Sequence, residues 1–372
     1  MKEIRSSRRQ HNVPTITDVA AHAGVSPMTV SRVVNGKGSV RPATRASVES
    51  AIAALGYAPN AAARALAGGE EIRICLLHTN PSLTYFSDFL VGGLDQASRS
   101  NVQLVIEKCE EDGHEAATIE RLLQGRIDGI ALPPPLSDSP VVLAALEGHG
   151  IPVVAVATGR APDWALSVSI DDRRAAYDMT RHLGALGHTR IGFITGDPKQ
   201  TASGERLAGY RAALADMGLA FLPERVGAGL FTYRSGLEAA ERLLGLHEPP
   251  TAIFASNDDM AAAAVAIAHR KGLDVPGDLT VCGFDDTVLA TTIWPELTTI
   301  RQPVTEMSRT AIELLVRSGK AMPTAKSMLI PEAWQVSTDM PAENKAMYQY
   351  MASVMEPWDG PAALAMTDGH WA

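Results

Sequence analysis

Three cysteines, Cys75, Cys109 and Cys282, are all that 372 residues contain, and no two form a C-x-x-C pair. So few, so widely spaced, exclude a disulfide framework or a zinc cluster and fit a reducing compartment. No run of about 18 apolar residues occurs, so no spanning helix is expected. The basic start MKEIRSSRRQHNVPTIT is not followed by an apolar segment. An export signal, the twin-arginine kind included, is therefore not expected, and a cytoplasmic location is. Neither G-x-x-x-x-G-K-[ST] nor G-x-G-x-x-G follows a strand candidate, which argues against an α/β enzyme that handles phosphates or dinucleotides. No Ser-His-Asp set and no metal-ligand spacing stands out among the ten histidines. The expectation is a protein without catalytic activity, cofactor or metal.

What the chain does have is length for two or three domains and an ordinary globular composition, 46% apolar and 20% charged. Its net charge of −9 is unevenly spread, because residues 1–69 carry nine Lys/Arg against three Asp/Glu. The remainder carries 24 basic against 39 acidic residues. A basic module that meets a polyanion, joined to an acidic body that does not, accounts for this asymmetry.

Within the basic segment, apolar residues recur at helical spacing three times. Ile16, Val19, Ala20 and Ala23 stop at Gly24; Val30, Val33 and Val34 stop at Asn35-Gly36; Val48, Ile52 and Leu55 stop at Gly56. Between the first two lies Ala23-Gly24-Val25-Ser26, a tight turn with Ser26 as N-cap and Pro27 at the first helical position. Helix, Gly-containing turn, helix and a supporting helix form a helix-turn-helix, whose second helix enters the DNA major groove. Its exposed side would present Ser26, Met28, Thr29, Ser31, Arg32 and Asn35. Arg32 can reach guanine with two donors, and the hydroxyls and amide suit phosphates or base edges. A three-helix interaction module that binds no DNA is the alternative, opposed by the basic charge and the polar face.

The run TITDVAAHAGVSPMTVSRVVNGKGSVRPATRASVESAIAALGYAPNAAARALAG resembles the headpiece and hinge of the LacI/GalR family of bacterial transcription regulators. The resemblance puts base-reading positions on Pro27, Met28 and Arg32, and a hinge on residues 59–68. Such hinges become helical on operator DNA and insert a leucine into the minor groove; Asn60, Ala63 and Leu66 occupy the corresponding places. An Ala-rich segment of this length needs packing to be helical, and an apolar wedge is a known minor-groove device. A plain flexible linker remains the alternative reading of AAARALAGG. Thr15 joins the expected DNA contacts. Arg41-Pro42 departs from the family's Ser-Pro, which removes a side-chain cap worth roughly 1 kcal/mol and leaves Arg41 as a phosphate contact.

From residue 70 onward, apolar runs at 72–78, 102–107, 128–132, 152–157, 190–196, 251–257 and 279–284 alternate with helical patterns at 88–100, 173–186, 204–217, 234–245 and 259–271. Alternation of this kind means parallel sheets, and the length suggests two. Ligands of such sheets bind beyond the carboxyl ends of the strands. Thr195-Gly196-Asp197, Ser256-Asn257-Asp258 and Gly283-Phe284-Asp285-Asp286 fall there, with Arg206 in a helix shortly after the first. Acceptors beside a forked donor suit a polyhydroxyl ligand, and Tyr85, Phe86 and Phe284 could stack on a sugar ring. Taken singly, Asp258, Asp259 and Asp171-Asp172 read as helix caps, and Arg206 as the partner of Glu205 or another surface acid. The family resemblance implies effector contacts for Arg206, Asn257 or Asp258, and Asp285. It extends through WPELTTIRQP, a crossover to the first subdomain, and fades after Thr338.

The expected fold is α+β multidomain, a three-helix headpiece followed by a periplasmic-binding-protein-like α/β core. The expected organisation is a basic arm (1–14), the headpiece (15–57), the hinge (58–69) and a core (70–341). One core subdomain takes about 70–170 and 301–330, the other about 171–300 and 331–341; residues 342–372 form a poorly ordered extension. The expected function is a repressor-type regulator whose operator affinity responds to a carbohydrate effector. Its partners would be near-palindromic double-stranded DNA and a second copy of the chain, in a dimer or tetramer, with no membrane. A periplasmic-type sugar receptor is the alternative, disfavoured by the headpiece.

Overall fold

The computed structural model describes residues 14–34, 40–55, 72–109, 113–318, 327–329 and 333–335. The expected arm, Asn35, the hinge with Asn60, Ala63 and Leu66, and the C-terminal extension lie outside the described residues. The chain divides into two compact units near Glu71.

In the N-terminal unit, α1 (Ile16–Ala23), α2 (Pro27–Val34) and α3 (Pro42–Leu55) enclose one small core of Val19, Ala20, Val30, Val33, Val48 and Ala51. Local chemistry sets each boundary. Thr15 and Asp18 form a capping box at the start of α1, and Gly24 ends it in the left-handed conformation at φ 66°. Ser26 then caps α2, its Oγ accepting from the Thr29 N–H at 3.2 Å, with Pro27 where no N–H is required.

The second unit holds two sheets. The first is built from β1 (Ile72–His78), β2 (Val102–Lys108), β3 (Gly129–Leu132), β4 (Val153–Val156), β5 (Leu166–Ser169) and β11 (Ser327–Leu329). All pair in parallel, in the order β11-β5-β4-β3-β1-β2. The second contains β6 (Ile191–Ile194), β7 (Val226–Gly227), β8 (Ala252–Ala255), β9 (Thr280–Asp285), β10 (Thr298–Arg301) and β12 (Ala333–Gln335), in the order β12-β10-β9-β8-β6-β7. Only the β10–β12 pairing is antiparallel. β3, β4, β6 and β8 are buried throughout, as both-face coverage by helices requires.

Covering the first sheet are α4 (Leu83–Ser100), α5 (Glu115–Gln124), α6 (Pro140–Leu146) and α12 (Val304–Ser318). The second is flanked by α7 (Asp172–Ala185), α8 (Thr201–Asp216), α9 (Tyr233–Leu243) and α10 (Asp258–Arg270), with a short α11 (Val288–Thr292) after β9. The chain passes between the lobes after β5, after β10, and between β11 and β12. Gly92 lets α4 and α12 meet backbone to backbone, since a Cβ there would lie 2.1 Å from the Thr305 carbonyl oxygen. The C-terminal ends of both sheets therefore face a common cleft.

Several boundaries differ from the sequence expectation. α4 starts at Leu83 rather than 88, because Ser82 caps it by accepting from the Tyr85 N–H. β5, β7 and β10 were not anticipated; each is four residues or shorter.

Candidate functional site

The headpiece offers one candidate surface on α2. Met28 is 64% exposed, and Pro27 and Arg32 are exposed beside it. The Ser26 and Thr29 hydroxyls lie 3.0 Å apart and bond each other, so they are partly committed to the helix start. Thr15 is likewise engaged, its hydroxyl donating to the Asp18 carboxylate at 2.7 Å. That bond and the Thr15 N–H hold the Asp18 carboxyl below its usual pKa. Ser31 is half-buried on the same helix and Arg41 is exposed at the start of α3. The helix thus presents a thioether, a proline ring and one guanidinium.

In the second unit, the strand ends border a solvent-open cleft. Asn80, Ser82, Tyr85, Pro134 and Ala157 line it from the first lobe; Gln200, Ala202, Arg206, Phe231, Asn257 and Asp285 from the second; Gln302 lies on the crossover after β10. Three lining residues other than glycine, Ala157 (φ 55°), Phe231 (φ 58°) and Asp285 (φ 114°), have left-handed backbone. Strain of this kind collects where the fold must aim groups at a ligand.

Arg206 is the electrostatic centre. It is 4% exposed, and its Nε donates to Asp172 Oδ1 at 2.8 Å while Nη1 donates to the Ser256 carbonyl. Its guanidinium carbon lies over the Phe284 ring, 3.5 Å from the centroid. The expected partner, Glu205 or a surface acid, is thus replaced by a buried carboxylate at the first residue of α7. The second nitrogen of the fork, Nη2, has no hydrogen bond among the described residues.

Asp285 is 7% exposed, and its carboxylate accepts no hydrogen bond from the described residues. Burial pushes its pKa well above the usual carboxylate range, opposed by Arg206 and reinforced by Asp258, Asp259 and Asp172. Among the buried side-chain atoms without a hydrogen-bond partner, two belong to residues lining the cleft, the Tyr85 hydroxyl and Gln302 Oε1. Unpaired buried polar groups cost about 1–3 kcal/mol each unless something fills them. All three belong to the same cleft.

Not every expected effector contact reaches that cleft. Asp258 is fully buried beneath it, accepting from the Thr287 N–H at 2.7 Å, the Thr287 hydroxyl at 3.1 Å and the Thr299 hydroxyl at 2.6 Å. Gly283 makes room for it, because a Cβ there would lie 2.3 Å from Asp258 Oδ1. Burial raises the Asp258 carboxyl to about 7, against those three donors. Neither Asp258 nor Asp259 caps α10: Asn257 does, accepting from the Met260 N–H at 3.0 Å, while its Nδ2 holds the Phe231 carbonyl at 3.1 Å. Phe284 stacks on Arg206 and is fully buried. Phe86 stacks on His78, with ring centroids 4.1 Å apart. The cleft wall includes Tyr85, Arg206, Asn257 and Asp285 from the expected set, but not Phe86, Asp258 or Phe284.

Sequence reasoning missed Phe231, Asn80, Gln200 and Gln302. Only Phe231 left a signal: its ring rests on Gly196, where a Cβ would lie 2.0 Å from the ring. Gln302, Asn80 and Gln200 sit in connections without periodicity.

A helix-turn-helix unit followed by a two-lobed α/β core with a strand-end cleft defines a class of DNA-binding proteins with a receptor-like body. Residues 180–335 match the periplasmic binding protein-like domain, and residues 15–60 match the lacI family of bacterial regulatory proteins. The chain is 35% identical over 307 residues to catabolite control protein A of Priestia megaterium, covering 82% of this chain and 92% of that protein. It is also 35% identical over 312 residues to the transcriptional repressor CytR of Escherichia coli K12, covering 83% and 91%. Among solved structures, the regulator CelR in complex with cellobiose aligns with a TM-score of 0.68 at 31% identity, over 88% of this chain and all of that one. The lac repressor dimer bound to operator and the anti-inducer ONPF aligns with the same TM-score at 28% identity, over 88% and 99%. The chain belongs to the LacI family of bacterial transcriptional regulators. Among the described residues, no helix is long and apolar enough to cross a membrane.

Proposed function

We propose that this protein is an operator-binding repressor whose DNA affinity is set by a hydroxyl-rich small molecule, a sugar or sugar derivative, held in the cleft between the two lobes. The observation that carries the ligand half is the pair of unsatisfied buried atoms in the cleft lining, the Tyr85 hydroxyl and Gln302 Oε1, with the Asp285 carboxylate lining the same cleft. Hydroxyl groups of a polyol can donate to the two acceptors, accept from Arg206 Nη2, and exchange with Tyr85 in either sense. Phe231 and Tyr85 supply apolar ring surface beside these polar atoms.

The DNA half rests on α2. Arg32 would read guanine with two donors, while Pro27 and Met28 would make only apolar contacts, for instance to a thymine methyl. Thr15, Ser26, Thr29, Ser31 and Arg41 would position the headpiece on phosphates, and a hinge with Asn60, Ala63 and Leu66 would read the minor groove. Two headpieces in a dimer would meet a near-palindromic site. Ligand shifts DNA affinity only as far as it prefers one lobe arrangement over the other.

A thermal-shift screen of the full chain against sugars, sugar acids, glycosides and nucleosides tests the ligand half, because a binder raises the melting temperature by mass action. A hit whose shift is lost in Gln302→Leu supports the cleft. A hit unaffected by Gln302→Leu and by Asp285→Asn moves the site elsewhere.

A further inference from the structure

Two carboxylates cross the cleft, each to the start of a helix on the opposite lobe. Asp138, in the 3₁₀ turn Leu136–Asp138 after β3, belongs to the first lobe. Its Oδ2 accepts from the Thr201 N–H at 2.9 Å, and its Oδ1 accepts from the Thr201 hydroxyl at 3.0 Å. Thr201 opens α8, and the residue at that helix's own N-cap, Gln200, makes no side-chain capping bond. A carboxylate from the other lobe therefore takes the place of the missing cap. The same Thr201 Oγ1 accepts from the Gly159 N–H at 2.7 Å, and Thr158 donates to Asp138 Oδ1 at 2.6 Å, so the junction is held from several sides.

The second bridge runs in the reverse sense. Asp259, in the first turn of α10 in the second lobe, accepts from the Ser82 hydroxyl at 2.7 Å. Ser82 is the N-cap of α4 in the first lobe. Both tethered helices carry cleft residues: α8 carries Ala202 and Arg206, and α4 carries Tyr85. Ser82 itself, and Gln200 and Ala202 on either side of Thr201, line the cleft, so both bridges border it.

We propose that Asp138 and Asp259 are positioning residues that clasp the two lobes, each engaging the N-terminus of a helix in the opposite lobe. Opening the cleft and uncapping α8 then become one event. An N-terminal N–H that loses a carboxylate acceptor must turn to water, and the helix dipole loses its counter-charge. The clasp holds the lobes without ligand and sets the threshold that a ligand must work with or against; only this regulatory consequence rests on the cleft being the ligand site.

The test uses the full chain without ligand, so its failure is distinguishable from failure of the ligand assignment. Cysteines introduced at exposed Glu120 on α5 and exposed Glu238 on α9 carry spin labels, the three native cysteines being buried. Asp138→Ala should shift the label distance distribution to longer values and speed amide exchange of the first turn of α8 roughly tenfold. Asp138→Asn, which keeps a carbonyl acceptor for the Thr201 N–H, should recover part of both effects. Asp259→Ala leaves the Ser82 cap of α4 in place and should widen the distribution as well; it stands as the test should Asp138→Ala not fold. A parental distance distribution in either folded alanine variant overturns the proposal, as does faster exchange in α8 without any change of distance, the mark of a merely local cap.

Discussion

Replacing Arg206 with Ala removes more than a ligand contact. The side chain is 4% exposed and holds the buried Asp172 carboxylate and the Ser256 carbonyl, with its guanidinium on Phe284. Without it, Asp172 becomes a buried charge with no cation, a change that costs about 3–5 kcal/mol in comparable buried pairs. At roughly 2–4 °C per kcal/mol for a unit of this size, melting should fall by about 6–20 °C. The pH dependence has a definite sign. Burial already raises the Asp172 pKa, and Arg206 is the main influence lowering it. Removing Arg206 raises it further, and a carboxyl with a folded pKa above its unfolded value loses stability as pH rises. The deficit of Arg206→Ala should therefore be largest at neutral pH and shrink toward pH 4, and Asp172→Asn in the same background should recover part of it. Differential scanning fluorimetry across that range reads both effects. Melting within about 2 °C of the parent at pH 7.5 would refute the reasoning, since it would mean that the pair contributes almost nothing.

Other outcomes follow from the same geometry. Arg32→Ala should relax preference at one base pair of each half-site, by about 1–3 kcal/mol in binding to a panel of mutated sites. Gly92→Ala should lower the melting temperature of the core, because the new Cβ meets the Thr305 carbonyl at 2.1 Å and overpacking costs about 1–3 kcal/mol. His188 bonds Thr251 at 2.9 Å and Thr280 at 3.0 Å through its two ring nitrogens, and burial lowers its pKa. Its stability contribution is present above the unfolded value of about 6.5 and is lost as pH falls below it. His188→Gln should flatten the melting curve against pH between 7.5 and 5; an unchanged slope would remove His188 from the account.

The parts legible in the sequence are those where local chemistry and tertiary packing agree. Gly24, Ser26 and Pro27 announce a turn, a cap and a helix start, and the structure puts each to that use. The parallel strands were readable because burial on both faces makes them continuous apolar runs. β5 and β7 were not, because LSVS and a two-residue strand carry no such pattern. Within the cleft, adjacent residues with the same chemistry were indistinguishable: Asn257 caps α10, Asp258 anchors Thr287 and Thr299 beneath the floor, and Asp259 bonds the other lobe. Which way each points depends on backbone geometry that arises only once β8, β9 and β10 are side by side. Phe231 and Gln302 reach the wall from loops far apart in sequence, which no periodicity can signal.

The central claim is that operator binding and cleft occupancy are coupled, and one titration tests it most directly. Operator DNA is first obtained by selecting bound sequences from a random pool. Fluorescence anisotropy of the full chain on that DNA is then measured with and without a saturating ligand from the thermal-shift screen. The account predicts that DNA affinity changes by about 5- to 150-fold and that DNA changes the ligand's affinity by the same factor, as linkage requires. The change should disappear in Asp285→Asn. Equal DNA affinity with and without saturating ligand would contradict it.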